Sequence, residues 1–442
     1  MISIFVHMQT AGMEYLESRL MFGMVPGLES TRRVCEALGN PQEQFKTIHV
    51  VGTNGKGSTS YYLAGILQAH GFKTGLYTSP HLVSLRERIR INDESISDYD
   101  LDRLLLQVKA AAEQVSAQGE SVEPTFFEVL TLVAFLYYAE RQVDVAVLEA
   151  GMGGRLDSTA VAGGNIAVVT SIGLEHTEVL GPTESAILKE KMGVVGTTRE
   201  QAAGKTFVLA NMPSVLSEAY GYGDFLGAKL LVPETREEVQ LPNLGRHYVE
   251  NASLSLAVAK IFLQAAGVAY NDALSLQTLK TRSWAGRMQQ LSDAAGRVRV
   301  VLDGAHNSHA VRRLVEALQK YYPGQKFHCV FGALKDKDVG EMLKLMTPCV
   351  SHWHITKTPY PRFRELEDLR GELENLGLHV ADEGELSREY LQSVLHETEG
   401  QTVPLLITGS LYMIGASIEI LKDDFEGLRF FRGLTPTTNE HR

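Results

Sequence analysis

The chain has 442 residues, 44% hydrophobic and 21% charged, with a formal net charge of −11. That length holds two or three cores, and the acidic balance argues against a nucleic-acid partner, whose binders usually carry a basic face. No apolar run approaches the roughly 18 residues of a membrane-spanning helix. The first twenty residues lack the basic start, long apolar core and small-residue cleavage site of a secretory signal, so a cytoplasmic protein with no membrane partner is expected. Cys35, Cys329 and Cys349 stand at unrelated spacings, giving neither a disulfide framework nor a zinc pattern, and read as small buried hydrophobes.

In chain order, the first clear element is the strand "TIHVV", ending at Val51, followed by the glycine-rich run "GTNGKGS" and the helix "STSYYLAGILQAH". The strand "KTGLYTS" follows, then "RERIRI", whose alternating Arg86, Arg88 and Arg90 read as a solvated strand face or a local basic cluster. The amphipathic stretches "DYDLDRLLLQVKAAAEQVSAQ" and "TFFEVLTLVAFLYYAERQ" predict helices, the second with a nearly continuous apolar face and hence well buried. The strands "VDVAVLEA" and "NIAVVTSI" complete the first series.

A second series begins after "AAGRVR": strand "VRVVLDG", helix "HAVRRLVEALQKYY", then strands "KFHCVFGAL", "VSHWHIT" and "VPLLITGS". Strands alternating with helices predict an α/β protein with largely parallel sheets. The loop "SDAAGR", rich in small and polar residues, reads as a linker. It places the boundary near Arg297 and gives units of residues 1–297 and 298–442. A cleft between two such units is a common ligand site. The tail "GLTPTTNEHR" is expected to fray.

The run Gly52–Ser58, between a strand and a helix, is what an anion needs. Glycines let backbone N–H groups converge, and the helix N-terminus adds positive potential. Lys56 would reach the terminal phosphates of a nucleotide, and Ser58 or Thr59 could face magnesium. The spacing departs from the general G-x-x-x-x-G-K-[ST] pattern: Gly52 lies three before Gly55, and Gly57 separates the lysine from the serine.

This variant resembles the loop of the Mur ligase superfamily, and its G-K-G-S form is similar to the folate branch, the folylpolyglutamate and dihydrofolate synthases. The resemblance runs on through "SRLMFGMVPGLE", "TSPHL", "RERIRIN", "EAGMGGRLDST", "SIGLEHTEVLGPT", "KEKMG", "NLGRHYVENASLSLA", "GRMQ", "DGAHN" and "GSLYMIG", in that order over most of the chain. It implies an N-terminal ATP-binding unit, a smaller C-terminal Rossmann-like unit and an active site between them. The reaction implied is ATP-driven amide ligation, in which a folate or dihydropteroate carboxylate becomes an acyl phosphate and L-glutamate attacks it.

The residues that match the family's motifs follow. Thr53, Asn54, Gly55, Lys56, Gly57 and Ser58 form the nucleotide loop, and Asn251, Arg287 and Asp303 are further nucleotide contacts. Ser79, Glu149 and His176, each at the C-terminal end of a strand, resemble magnesium ligands. Lys191 matches the lysine that becomes a carbamate in many members and can then bridge to a second magnesium. Lys56, Lys191, His176, Arg287 and His306 are the implied catalytic set, with His306 and Ser410 positioning the incoming amino acid. Glu175, Tyr248 and Ala160 stand where relatives more often have aspartate, glutamine and asparagine. Relatives imply a monomer. A cell-wall peptide ligase is the rival within the superfamily, but the loop begins about 50 residues in and leaves no room for that branch's N-terminal substrate domain. A nucleotide binder without catalysis is the rival from another class.

Overall fold

The computed structural model describes residues 10–22, 27–119, 122–432 and 434. Part of "SRLMFGMVPGLE", and all of the tail except Leu434, lie outside the described residues. Among the described residues, eight strands form one sheet: β1 (Lys46–Val51), β2 (Thr74–Tyr77), β3 (Ile89–Ile91), β4 (Glu94–Ser95), β5 (Val145–Glu149), β6 (Ile166–Val169), β7 (Thr206–Leu209) and β8 (Lys229–Leu231). Their spatial order is β4-β3-β2-β5-β1-β6-β7-β8. The neighbours from β2 to β8 are parallel, while β3 runs antiparallel to β2 and to β4.

The central strands are buried on both faces, which is why they read as unbroken apolar runs. Ile48, Val50, Val147 and Val168 pack with Leu63, Ile66 and Leu67 of helix Lys56–Ala69 and with Ala252, Leu256 and Ala259 of helix Arg246–Ala265. On the opposite face, Tyr77, Ala146 and Leu148 meet helices Asp98–Ser116 and Phe126–Glu140. The second of these starts at a reciprocal cap, where Thr125 and Glu128 satisfy each other's backbone N–H groups. The layout is helix, sheet, helix.

Six more strands, among the described residues, form a second sheet: β9 (Gln289–Ser292), β10 (Val298–Asp303), β11 (Phe327–Phe331), β12 (Val350–Lys357), β13 (Val380–Glu385) and β14 (Leu405–Thr408), in the order β13-β12-β11-β14-β10-β9. All pair in parallel except β9, which is antiparallel to β10. The loop read as a linker is the turn of this β9–β10 hairpin. Asp293 closes it, its side chain accepting from the backbone N–H groups of Ala295 (2.9 Å) and Arg297 (3.0 Å). The second sheet therefore takes in residues ahead of Arg297.

Of the two readings of "RERIRI", the solvated strand face does not hold. Arg88 and Arg90 are buried, at 8% and 6% exposure, and among the described residues only Arg86 of the three makes an ion pair, to Asp98 at 3.1 Å. The run coils into a short 3₁₀ turn, Leu85–Arg88, before β3, so its arginines do not share one strand face. The three cysteines are free and buried. Among the described residues, no helix is long and apolar enough to cross a membrane.

Candidate active site

The loop after β1 is anchored before any ligand is considered. Thr53 Oγ1 exchanges hydrogen bonds with the backbone of Gly173 (3.2 and 3.1 Å), and the Asn54 backbone N–H donates to Ser171 Oγ (2.8 Å). Thr170 and Ser171 return hydroxyl bonds to the Asn54 carbonyl at 2.7 and 2.9 Å. Gly52 has φ 149°, and a Cβ there would sit 2.0 Å from Thr170 Oγ1. Gly55 is left-handed (φ 86°) and pressed against Asn251, so neither position accepts a side chain. The helix begins at Lys56, whose Nζ donates back to the carbonyls of Gly52 (2.9 Å) and Thr53 (3.1 Å). Asn251 Nδ2 donates to Ser58 Oγ at 2.9 Å.

β2, β5 and β6 end beside this loop and deliver Ser79, Glu149 and His176. All three line one cavity of about 530 Å³, together with Thr53, Asn54, Gly55, Lys56, Gly57 and Ser58. Glu149 does not cap the loop that follows it. Asp157 does so, accepting from Gly151 N–H (2.9 Å) and Met152 N–H (3.1 Å), while Glu149 Oε2 accepts from the Ser79 backbone N–H at 2.9 Å. Burial drives the Glu149 carboxyl up to about 7, against the pull of Lys56, the Ser79 N–H, Arg287 and Arg88. His176 is exposed and left-handed (φ 45°) at the start of helix Thr177–Leu180. Burial of its ring nevertheless outweighs Glu175 and lowers its proton affinity.

Lys191 lies on helix Glu184–Met192 and is 1% exposed, which excludes a surface lysine. Its Nζ forms an ion pair with Glu175 Oε1 at 2.8 Å, so Glu175 stands on the cavity wall and Lys191 behind it. Burial, reinforced by Lys56, brings the Lys191 ammonium down to about 8 although Glu175 opposes the change. Burial raises the Glu175 carboxyl, but Lys191 and Lys56 outweigh it and hold the group below its ordinary value.

The second sheet closes the cavity with His306 and Ser410. His306 Nδ1 faces the Gly304 carbonyl at 2.8 Å, which makes Nδ1 the protonated nitrogen and leaves Nε2 an acceptor. Burial lowers that imidazole to about 4. Ser410 caps helix Leu411–Leu421. Asn251 and Asp303 border a neighbouring cavity of about 260 Å³ instead. Asp303 is fully engaged: Tyr248 Oη donates to it (3.3 Å), as do the N–H groups of Met288 (2.8 Å) and Ala305 (2.9 Å). Arg287 borders both cavities.

Two residues at the site, Asn243 and His309, were not singled out from sequence, and Arg88 was read there only as part of a solvated face or basic cluster. Asn243 fixes the Arg287 segment, its Nδ2 donating to the carbonyls of Trp284 (2.9 Å) and Arg287 and its Oδ1 accepting from Trp284 N–H (2.8 Å). His309 reaches Asn54 across the cleft (2.9 Å), and Arg88 lines the 530 Å³ cavity with Nε donating to His81 Nδ1 (2.9 Å). The only sequence signals were membership of "NLG" and the alternation of "RERIRI".

A phosphate loop, acidic and histidine side chains at adjacent strand ends, and an arginine and a histidine facing them from a second sheet define an ATP-dependent ligase. The Mur ligase middle domain matches residues 50–218, and the Mur ligase glutamate ligase domain matches residues 286–410. A Bacillus subtilis dihydrofolate synthase/folylpolyglutamate synthase is 32% identical over 422 residues, covering 90% of this chain and 96% of that one. The solved folylpolyglutamate synthase of Mycobacterium tuberculosis, complexed with ADP and AMPPCP, superposes with TM-score 0.81 at 27% identity, covering 93% of this chain and 98% of that one. A bifunctional folylpolyglutamate synthase/dihydrofolate synthase from Yersinia pestis, complexed with AMPPNP and Mn ion, gives TM-score 0.78 at 28% identity, with 93% and 97% coverage. The chain belongs to the Mur ligase superfamily and, within it, to the folylpolyglutamate synthase/dihydrofolate synthase family.

Proposed function

We propose that the protein uses ATP to join L-glutamate to the carboxylate of a folate or of dihydropteroate through an acyl phosphate. The observation that carries this is the single 530 Å³ cavity into which the phosphate loop, Glu149, His176, Arg287, His306 and Ser410 all open. The residue-level roles are part of the same proposal. Lys56 and Arg287 neutralise phosphate oxygens, so that one anion can attack another. The amide of Asn251 and the buried Asp303 border the smaller cavity, which we assign to the rest of the nucleotide. Neutral His306, with Nε2 as acceptor, positions the incoming amino acid by accepting a hydrogen bond from its nitrogen.

Two of the donors suit magnesium, a carboxylate whose charge burial opposes and a hydroxyl-bearing residue, and an imidazole, a less usual ligand for so hard a cation, lines the same cavity. Ser79, Glu149 and His176 would hold one ion, and a carbamylated Lys191 a second. Such ions supply charge neutralisation at the phosphates. A buried amine of reduced proton affinity supports carbamylation, because carbon dioxide adds to the neutral amine. The Glu175 ion pair instead favours an unmodified lysine, and the two forms are separable by experiment. We place the protein in the cytoplasm as a monomer of two units, divided ahead of β9, near residue 285.

The test is ADP release with each acceptor in turn, dihydropteroate and a tetrahydrofolate monoglutamate. Release that requires both glutamate and an acceptor is expected. Turnover indifferent to the acceptor, or nucleotide binding without turnover, overturns the reading.

A further inference from the structure

A third cavity, of about 270 Å³, shares Gly57, Ser79, Pro80, Glu149, Arg287 and Leu411 with the first. Arg90 lines it, and its guanidinium lies over the rings of Trp284 (5.6 Å to the centroid) and Phe430 (5.0 Å). Its Nε donates to the Glu87 carbonyl at 2.9 Å. Among the described residues no carboxylate oxygen comes within 4.0 Å of Arg90.

The cavity's own carboxylates are already engaged. Glu87 accepts from the backbone N–H groups of Leu82, Val83 and Ser84 (3.1, 2.7 and 2.6 Å). Asp93 accepts from both terminal nitrogens of Arg282 (2.6 and 2.7 Å), and Glu149 accepts from Ser79. Arg90 thus remains a nearly buried cation that touches one backbone carbonyl and two aromatic faces, with Glu87 and Asp93 favouring its charge from beyond ion-pair distance. A buried cation with no carboxylate in hydrogen-bond contact is costly, and a planar guanidinium lying over two aromatic rings offers its terminal nitrogens to a two-oxygen acid.

We infer that this cavity is a carboxylate subsite in which Arg90 binds a glutamyl carboxylate. Two glutamyl sources share that chemistry: the incoming amino acid, and the γ-glutamyl tail already carried by an acceptor. Which molecule delivers the acid rests on the proposed ligation; the affinity for the acid does not.

Two measurements test it. Trp284 forms part of the cavity, and the chain's other tryptophan, Trp353, is 2% exposed in the second sheet. In a Trp353→Phe protein, Trp284 emission is expected to change saturably with L-glutamate or with γ-linked triglutamate, and Arg90→Gln is expected to weaken that response by about tenfold or more. Because no turnover is required, this reads the subsite even if the chain ligates something else. In the ligation assay, Arg90→Gln is expected to raise KM selectively, with ATP KM and kcat within about threefold of the parent. A rise for glutamate assigns the incoming amino acid; a rise for a triglutamyl but not a monoglutamyl acceptor assigns the tail. Arg90→Lys, which keeps the charge, should recover part of the loss. No emission response to either probe, or a response unchanged in Arg90→Gln, overturns the subsite, as does an equal rise in every KM.

Discussion

Lys191 is the side chain at which two readings of the site separate. It is 1% exposed and pairs at 2.8 Å with a glutamate that is itself on the cavity wall. If it carries a carbamate, Lys191→Ala should lower turnover by about 10- to 100-fold, and acetate or formate entering the vacated space should restore part of it. Bicarbonate depletion should then slow the parent enzyme but not the variant. A plain Lys191–Glu175 ion pair predicts loss of stability without rescue by small acids, since removing one partner leaves a buried charge. Asn243 acts differently, through the backbone it holds. Asn243→Ala strips the partners from Trp284 and the Arg287 carbonyl. It should cost about 2–3 kcal/mol in urea unfolding and raise the KM for ATP through Arg287. A raised KM restored by higher protein stability alone would rule out the positioning role.

At the scale of elements, the strands were legible because a parallel sheet covered on both faces demands continuous apolar runs, and those survive in sequence as such. The phosphate loop was legible because its glycines answer steric demands from Thr170 and Asn251. The second sheet's first strand was not: "QQLS" buries Leu291 but carries two glutamines, so it does not look like a strand until β10 is beside it. Arg88 and Arg90 were misread for a related reason. Their burial is decided by Phe126, Trp284 and Phe430, far along the chain, and no local pattern encodes those contacts. The matching of family motifs supplied expected roles for His176 and Lys191 that periodicity could not.

β1 carries its own pH dependence. His49 is fully buried, hydrogen-bonded to the Gly163 carbonyl, and burial lowers its imidazole to about 4. In the unfolded chain the same ring protonates near about 6.5. Its contribution to stability is therefore whole above that pH and is lost as the pH falls from there toward the folded value. At pH 5 the deficit is on the order of 1–2 kcal/mol. His49→Gln should reduce the difference between urea midpoints at pH 7.5 and pH 5; an unchanged difference would show that His49 is not the group responsible.

At the scale of the molecule, the placing of β9 decides where the chain can be divided. A fragment starting at Val298 exposes the edge of β10 and loses the strand that bears Leu291, whereas one starting at Ser283 keeps the hairpin. Open edges of this kind invite association. The shorter fragment should aggregate or melt without cooperativity, and the longer one should show a single transition by circular dichroism. Equal behaviour of the two would move the boundary back to Arg297.

Arg287 borders all three cavities. One guanidinium has one positive charge to distribute, so whatever anion fills the first cavity changes the field felt in the other two. Occupancy of the sites is consequently linked in the thermodynamic sense: the factor by which nucleotide alters the affinity for an acidic substrate must equal the factor by which that substrate alters the affinity for nucleotide. Titrations run in either direction should close that cycle, and in Arg287→Met the shared factor should fall toward one.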